Sequence, residues 1–251
     1  MFRRTILIAM VVTGVVATIV PRVGAQTVEE VIERNVEARG GPEAWKAIET
    51  IRMTGTMSLG DAVSGPLAVE FKRPDRMRIE FSVEGAPAIQ AYDGETAWAV
   101  VPFAGAGPRK LAPEQMAEIV EQADFEGPLI GYQAKGHEVE LLGRAKVDGK
   151  EVFEILVKRK GGASVVLSLD ASSYLEIRQT VSEVVQGNEV EVIVDVSDYR
   201  EVAGVLFPFQ ISQTISVAPA PQIIRLSKVE VGVEISDDRF SFPQPSASVD
   251  Q

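Results

Sequence analysis

The sequence contains no cysteine, which removes disulfides, thiolate nucleophiles, Cys-ligated zinc and an N-terminal cysteine lipid anchor together. It has one histidine, His137. A lone imidazole builds no multi-histidine metal site, and it leaves a single candidate for the commonest general base at neutral pH. Basic residues are also scarce: 25 Lys and Arg against 36 Asp and Glu give a formal charge of -11. Such a surface repels nucleic-acid phosphates and anionic headgroups, so nucleic acid is not an expected partner. Phosphate loops, dinucleotide fingerprints, low-complexity linkers and internal repeats are missing too. What remains is 45% hydrophobic and 24% charged over 251 residues, the balance of a globular chain able to bury one good core.

Residues 1 to 25 carry Arg3 and Arg4, an apolar run from Ile6 to Val20, then Pro21, Arg22 and a small-residue end at Val23-Gly24-Ala25. This order is that of a cleaved secretory signal peptide. Its three arginines are matched by no acid, so its loss leaves 22 basic against 36 acidic residues and a charge of -14. Residues 26–251 are expected to form one exported domain, without catalytic or metal chemistry and without stable membrane insertion.

Thr27 followed by Glu30 has the form of a capping box, with Val28, Val31, Ile32 and Val36 on one face of a first helix running to about Arg39. Gly40-Gly41 ends it, and Pro42 opens a second short helix with Trp45 and Ile48 on its apolar side. A third helix is expected after Pro113, with a stripe of Met116, Ile119, Val120 and Ala123, ending before Gly127-Pro128. Elsewhere apolar residues alternate with polar ones, as in Leu67, Val69, Phe71 and in Met77, Ile79, Phe81, Val83. Asp93-Gly94, Asp148-Gly149, Gly161-Gly162 and Gly187-Asn188 supply hairpin turns between these runs. About ten antiparallel strands exceed what a flat sheet holds comfortably. The expected fold class is therefore mainly β with α: an unclosed antiparallel half-barrel, with the helices inside it or across its mouth.

For catalysis, His137 between Gly136 and Glu138 has no serine in a strand-turn-helix elbow to work with. The acidic pairs Asp93/Glu95, Asp124/Glu126, Asp195/Asp198 and Asp237/Asp238 each have a simpler place in a turn or at a helix end, and Ser236 reads as the cap of a short helix. No loop has calcium-binding spacing, and no cofactor is expected. What stands out is soft apolar material at strand spacing: Met53, Met57, Phe71, Met77, Ile79 and Phe81. Trp98, Phe103, Met116 and Ile119 add to it. These are the candidate lining of an apolar ligand cavity, since methionine accepts ligands of varied shape. Spacing alone leaves an ordinary packed core open as the alternative.

Three stretches carry a resemblance. They are Gly65-Pro66-Leu67-Ala68-Val69-Glu70-Phe71-Lys72-Arg73-Pro74-Asp75-Arg76-Met77-Arg78; Tyr92-Asp93-Gly94-Glu95-Thr96-Ala97-Trp98 with Pro102-Phe103; and Asp238-Arg239-Phe240-Ser241-Phe242-Pro243. In this order and spacing the chain resembles the periplasmic LolA-type lipoprotein carrier family, the last stretch matching that family's closing strand. The resemblance implies helices forming a lid over a cavity that takes lipoprotein acyl chains or another lipid. It also implies a periplasmic monomer that meets inner-membrane release machinery and an outer-membrane receptor. Arg73 matches the family's lid-holding arginine, which donates to carbonyls at the end of a lid helix and so favours a closed empty state that competes with ligand. Met77 matches a hydrophobic position near the cavity mouth. The chain departs from the family in its extra length and acidity, and its lack of cysteine argues against the lipidated receptor of the same fold. Two other functions are carried forward. One is an envelope interaction protein whose half-barrel is filled by side chains; the other is a hydrolase using His137.

Overall fold

The computed structural model describes residues 26–61, 63–101, 107–160, 164–185, 188–218 and 220–243. The signal segment, Phe103, Gly161-Gly162 and Gly187 lie outside these residues.

The capping box forms as its spacing predicts. Thr27 Oγ1 accepts from Glu30 N at 3.2 Å and Glu30 Oε2 accepts from Thr27 N at 3.1 Å, satisfying two backbone donors that a helix start otherwise leaves free. This begins α1 (Val28–Ala38); α2 (Pro42–Lys46) and α3 (Pro113–Gln122) both open on proline. The α3 stripe is narrower than its sequence suggests. Ile119 and Ala123 are buried, but Val120 is 41% exposed, because only the 116, 119, 123 line faces the sheet.

Thirteen strands are described, three more than the alternation suggests. They are β1 (Thr50–Leu59), β2 (Val63–Lys72), β3 (Arg76–Val83), β4 (Ala86–Tyr92), β5 (Ala97–Val100), β6 (Arg109–Lys110) and β7 (Glu138–Val147). The remainder are β8 (Lys150–Lys158), β9 (Ser164–Asp170), β10 (Glu176–Val185), β11 (Asn188–Val202), β12 (Val205–Ile215) and β13 (Gln222–Val231). The undercount has two causes. β6 is too short to alternate. Register irregularities at Glu176/Arg178 and a positive φ at Asp198 interrupt the period of two in β10 and β11.

All thirteen strands form one antiparallel sheet in the order β6-β5-β4-β3-β2-β1-β13-β12-β11-β10-β9-β8-β7. The chain starts in the middle, runs out to one edge, reappears at the other and returns to pair β13 with β1. That central seam requires Gly55, because a Cβ there would lie 2.1 Å from Arg225 O. The edge strands β6 and β7 do not pair, so the sheet is not closed. In sequence the gap between them is spanned by α3 and the segment 123–137.

The helices bury one face of the sheet. Val31 and Ile32 of α1, with Leu129, pack on Phe153, Ile155, Val157, Val165, Leu167 and Leu169 of β8 and β9. Trp45 of α2, with Ile48 and Ile130, packs on Ile51, Val205, Phe207, Phe209, Leu226 and Val229. Met77, Tyr92 and Ala97 pack on Ile119 and Ala123.

On the opposite face the segment after β13 folds back over β2, β3 and β5. Asp238–Pro243 is not a closing strand: Asp237–Arg239 form a 3-10 turn capped by Ser236, followed by irregular chain. Glu70, 3% exposed, accepts from Arg52 Nε and Arg239 Nε, each at 2.9 Å, and Asp237 holds Lys72 and Arg76. A strand would compete with these side-chain bonds for the same surface.

Candidate functional site

Strand register sorts the apolar candidates onto faces, because paired residues point to the same side. Ile51, Phe71, Met77, Tyr92 and Ala97 are paired in sequence across β1 to β5 on the helix-bearing face. This row lies beneath α2 and α3. Met77 is 0% exposed and packs against Ile119 and Ala123 at the α3 end of the face. Met53, Val69 and Ile79 form the next row, and Leu67 and Phe81 the one after.

Further along, Val196, Ile211, Ile224 and Met57 are paired across β11, β12, β13 and β1. Ile211, Ile224 and Met57 remain half-buried. The cluster that holds Met57, Ile224, Leu67, Val69 and Phe81 consists of strand residues alone. The last row, Gln179, Val194, Gln213, Gln222 and Leu59, mixes amides with apolar residues. The helix-bearing face thus passes from a covered apolar end, through an uncovered apolar band, to a mixed rim.

Of the sequence candidates, Met53, Met57, Phe71, Met77, Ile79, Phe81, Met116 and Ile119 share this face, and Phe71 touches the packing of three of the four apolar groups along it. Trp98 does not share it. Its pairing partner is Ala91 and not Tyr92, which puts it on the opposite face, where Nε1 donates to Phe240 O at 2.7 Å and its ring faces Arg78. The side on which Trp98 falls depends on the loop joining β4 to β5, which strand periodicity does not reveal.

Arg73 stands at the junction of sheet and helices. Nε donates to Ile48 O at 2.7 Å; NH2 donates to Trp45 O at 2.9 Å and to Glu126 Oε1 at 2.6 Å. Its guanidinium also lies over the Phe125 ring, 4.7 Å from the centroid. One side chain therefore joins the end of β2 to the end of α2 and to the segment after α3. Around it Lys135 Nζ contacts both Asp124 oxygens at 2.7 Å and Gly127 O at 2.8 Å, and Arg159 at the end of β8 pairs with Glu121 of α3.

The acidic pairs are occupied structurally. Asp93 Oδ1 accepts from Glu95 N and Thr96 N, Asp195 pairs with Arg178, and Asp198 with Arg200. His137 Nδ1 accepts from Lys160 N at 3.3 Å, tying a loop to the end of β8; burial lowers its pKa. Among the described residues no group of three or more His, Asp or Glu side chains could hold a metal ion.

Sequence reasoning missed a polar patch on the same face. Glu176 pairs with Leu169, whose side chain packs under α1, and Gln179 Nε2 donates to Glu176 Oε1 at 2.7 Å. Tyr199 OH donates to Glu176 O at 2.9 Å, and Arg39 NH1 donates to Glu126 O at 2.8 Å. Burial raises the Glu176 carboxyl and the Tyr199 hydroxyl and lowers the Arg39 guanidinium. The irregularity at Glu176/Arg178 hides this patch from a period-two pattern.

No family model matches the sequence, and no curated protein matches it. Solved structures do. A LolA superfamily protein from Nitrosomonas europaea is 13% identical, with 86% of this chain and 98% of that one covered and a TM-score of 0.57. A DUF1329 family protein from Desulfovibrio piger is 14% identical over 86% and 98% of the two chains, with a TM-score of 0.59. At such identities the likeness is one of architecture, and with the unclosed sheet and its helix-bearing face it establishes that this chain has a LolA-like fold.

Proposed function

We propose that the protein is a periplasmic, non-catalytic carrier. Exported through residues 1–25 and folded as one domain over residues 26–251, it binds the acyl chains of lipoproteins or other lipids on the helix-bearing face. The observation that carries this reading is the uncovered apolar band: Met57, Ile211 and Ile224 stay half-buried beside fully packed residues of the same face. Each methylene transferred there from water contributes about 0.8 kcal/mol, enough for a chain of ordinary length to bind tightly. Arg73 acts as the lid holder. Its bonds to Trp45 O, Ile48 O and Glu126 stabilise the closed arrangement, so ligand entry and release compete with closure. Cargo is exchanged with inner-membrane release machinery and an outer-membrane receptor.

Titration with a fluorescent apolar probe tests this. Saturable binding at one site, lost in Met57→Asp, is the expected result. No binding by a folded protein would overturn it in favour of a half-barrel filled by side chains and used as an interaction module.

A further inference from the structure

The face that carries the apolar band ends at a rim with its own chemistry. From Val202 to Ile224 the sequence runs 23 residues without a charged side chain, where the overall 24% would place about five. The run takes in β12, the start of β13 and the turn between them, Ser216-Val217-Ala218-Pro219-Ala220-Pro221. This turn lies beyond the last rung of the β12–β13 pair, Gln213 with Gln222, and it is pinned on both flanks. On one side Ser216 N donates to Glu191 O at 2.9 Å, and Ser216 Oγ accepts from Glu191 N at 3.0 Å. On the other, Gly60 N in the β1–β2 turn donates to Pro221 O at 3.0 Å. A Cβ on Gly60 would lie 2.9 Å from Ala220 Cβ, so the two turns pack closely.

Held in this way, the turns present apolar side chains to water. Val217 is 69% exposed, the most of any large apolar side chain among the described residues; Leu59 is 42% exposed, and Ala218 and Ala220 are exposed as well. Single exposed apolar residues are ordinary, but a group of them on pinned turns in a charge-free stretch marks a contact surface. Its position decides the partner. Val194, Gln213, Gln222 and Leu59 form the row between the apolar band and these turns. So few small side chains fall short of the roughly 1,000 Å² that a stable protein interface needs. They suit a lipid surface, where each apolar side chain gains by leaving water on its own account. Asp61 is the one charge in the two turns, so little desolvation cost opposes that contact. The rest of the exported chain, at -14 over residues 26–251, is repelled by anionic headgroups.

We propose that the paired turns dock the protein reversibly on a lipid bilayer of uncharged headgroups, so that an acyl chain passes between the bilayer and the apolar band without crossing water. This rests on the carrier reading, and the test separates the two. Protein purified from the periplasm is floated with phosphatidylcholine vesicles and with vesicles that also contain phosphatidylglycerol. Binding to phosphatidylcholine is expected, weaker with phosphatidylglycerol at low salt and restored as salt screens the repulsion. Val217→Asp should lower vesicle affinity about tenfold and leave apolar-probe affinity unchanged, because Val217 lies beyond the band. Leu142→Asp, at a side chain 48% exposed on the edge strand β7, should change neither. Val217→Trp gives a direct readout: Trp45 and Trp98 are each 1% exposed, so a blue shift in emission on adding vesicles reports the new side chain entering lipid. Folded protein that takes up the probe but does not float, or equal losses of vesicle affinity in Val217→Asp and Leu142→Asp, would overturn the docking surface and leave the carrier standing. Flotation that depends on Val217 in a protein that takes up no probe would overturn the carrier reading and leave the docking surface.

Discussion

The two ends of the helix-bearing face are built from similar residues and meet different fates. Under α2 and α3, Ile51 and Met77 are wholly buried; farther along the same face, Met57 on β1 and Ile224 on the neighbouring β13 keep accessible surface. Strand register gives both ends the same orientation, so the difference comes from where the helices stop. Side chains at the covered end hold the helices to the sheet, and those beyond it keep the accessible surface that the proposed carrier would offer to a ligand.

Substitutions at the two ends are the most direct way to break this comparison. Met77→Ala removes a fully buried side chain and should destabilise the protein by about 2–5 kcal/mol; Met57→Ala should cost less than about 1 kcal/mol yet weaken apolar-probe binding. Denaturant unfolding and probe titration of both variants check this, and equal losses of stability would erase the distinction between the ends. Arg73→Leu comes next. It leaves Trp45 O and Ile48 O without a charged donor and Glu126 with Lys135 alone, 3.7 Å away, each lost bond having contributed about 1.5–3 kcal/mol. Stopped-flow displacement should show slower ligand release as the closed empty state loses its advantage, and an unchanged rate would remove Arg73 from the lid role.

Glu176 sharpens the comparison through pH. Burial raises its carboxyl in the folded state, against opposing contributions from Gln179, Arg39 and Arg159. Folded protein therefore holds that proton more tightly than unfolded chain, and stability is lost as pH rises from the ordinary carboxylate range through the raised value. Glu176→Gln removes the loss, so thermal melts should show a gain in Tm at about pH 8 and little at about pH 4. Asp170 has the opposite sign and the smallest effect. Backbone donors from Ser173 and Ser172 hold its carboxyl low, so its contribution is present above the ordinary carboxylate range and fades as pH falls. Asp170→Asn should cost about 1 kcal/mol or less at neutral pH and nothing in acid.

Local signals were legible in the sequence. The Thr27 and Glu30 capping box, the prolines opening α2 and α3, and the Asp148-Gly149 hairpin joining Val147 to Lys150 are each set by residues a few positions apart. Strand alternation placed Met57 and Phe81 on one face because an unbroken period of two is enough for that. The rest depends on distant partners. The pairing of β1 with β13 joins opposite ends of the chain. Trp98 faces outward because of a loop and a C-terminal segment that no strand pattern encodes. Asp238–Pro243 leaves the sheet because Glu70 holds its Arg239 and its Phe240 is fully buried. Glu176 looks like a surface charge until the irregularity at Glu176/Arg178 sets it opposite Leu169 on the helix-bearing face.

The central claim is that the uncovered band carries acyl chains. It is tested most directly by native mass spectrometry, with lipid extraction, on protein purified from the periplasm of an expressing cell. Co-purifying acyl-chain mass, lost in Met57→Asp while Tm is preserved, is the expected result. Protein that emerges bare and takes up no added lipid would contradict it.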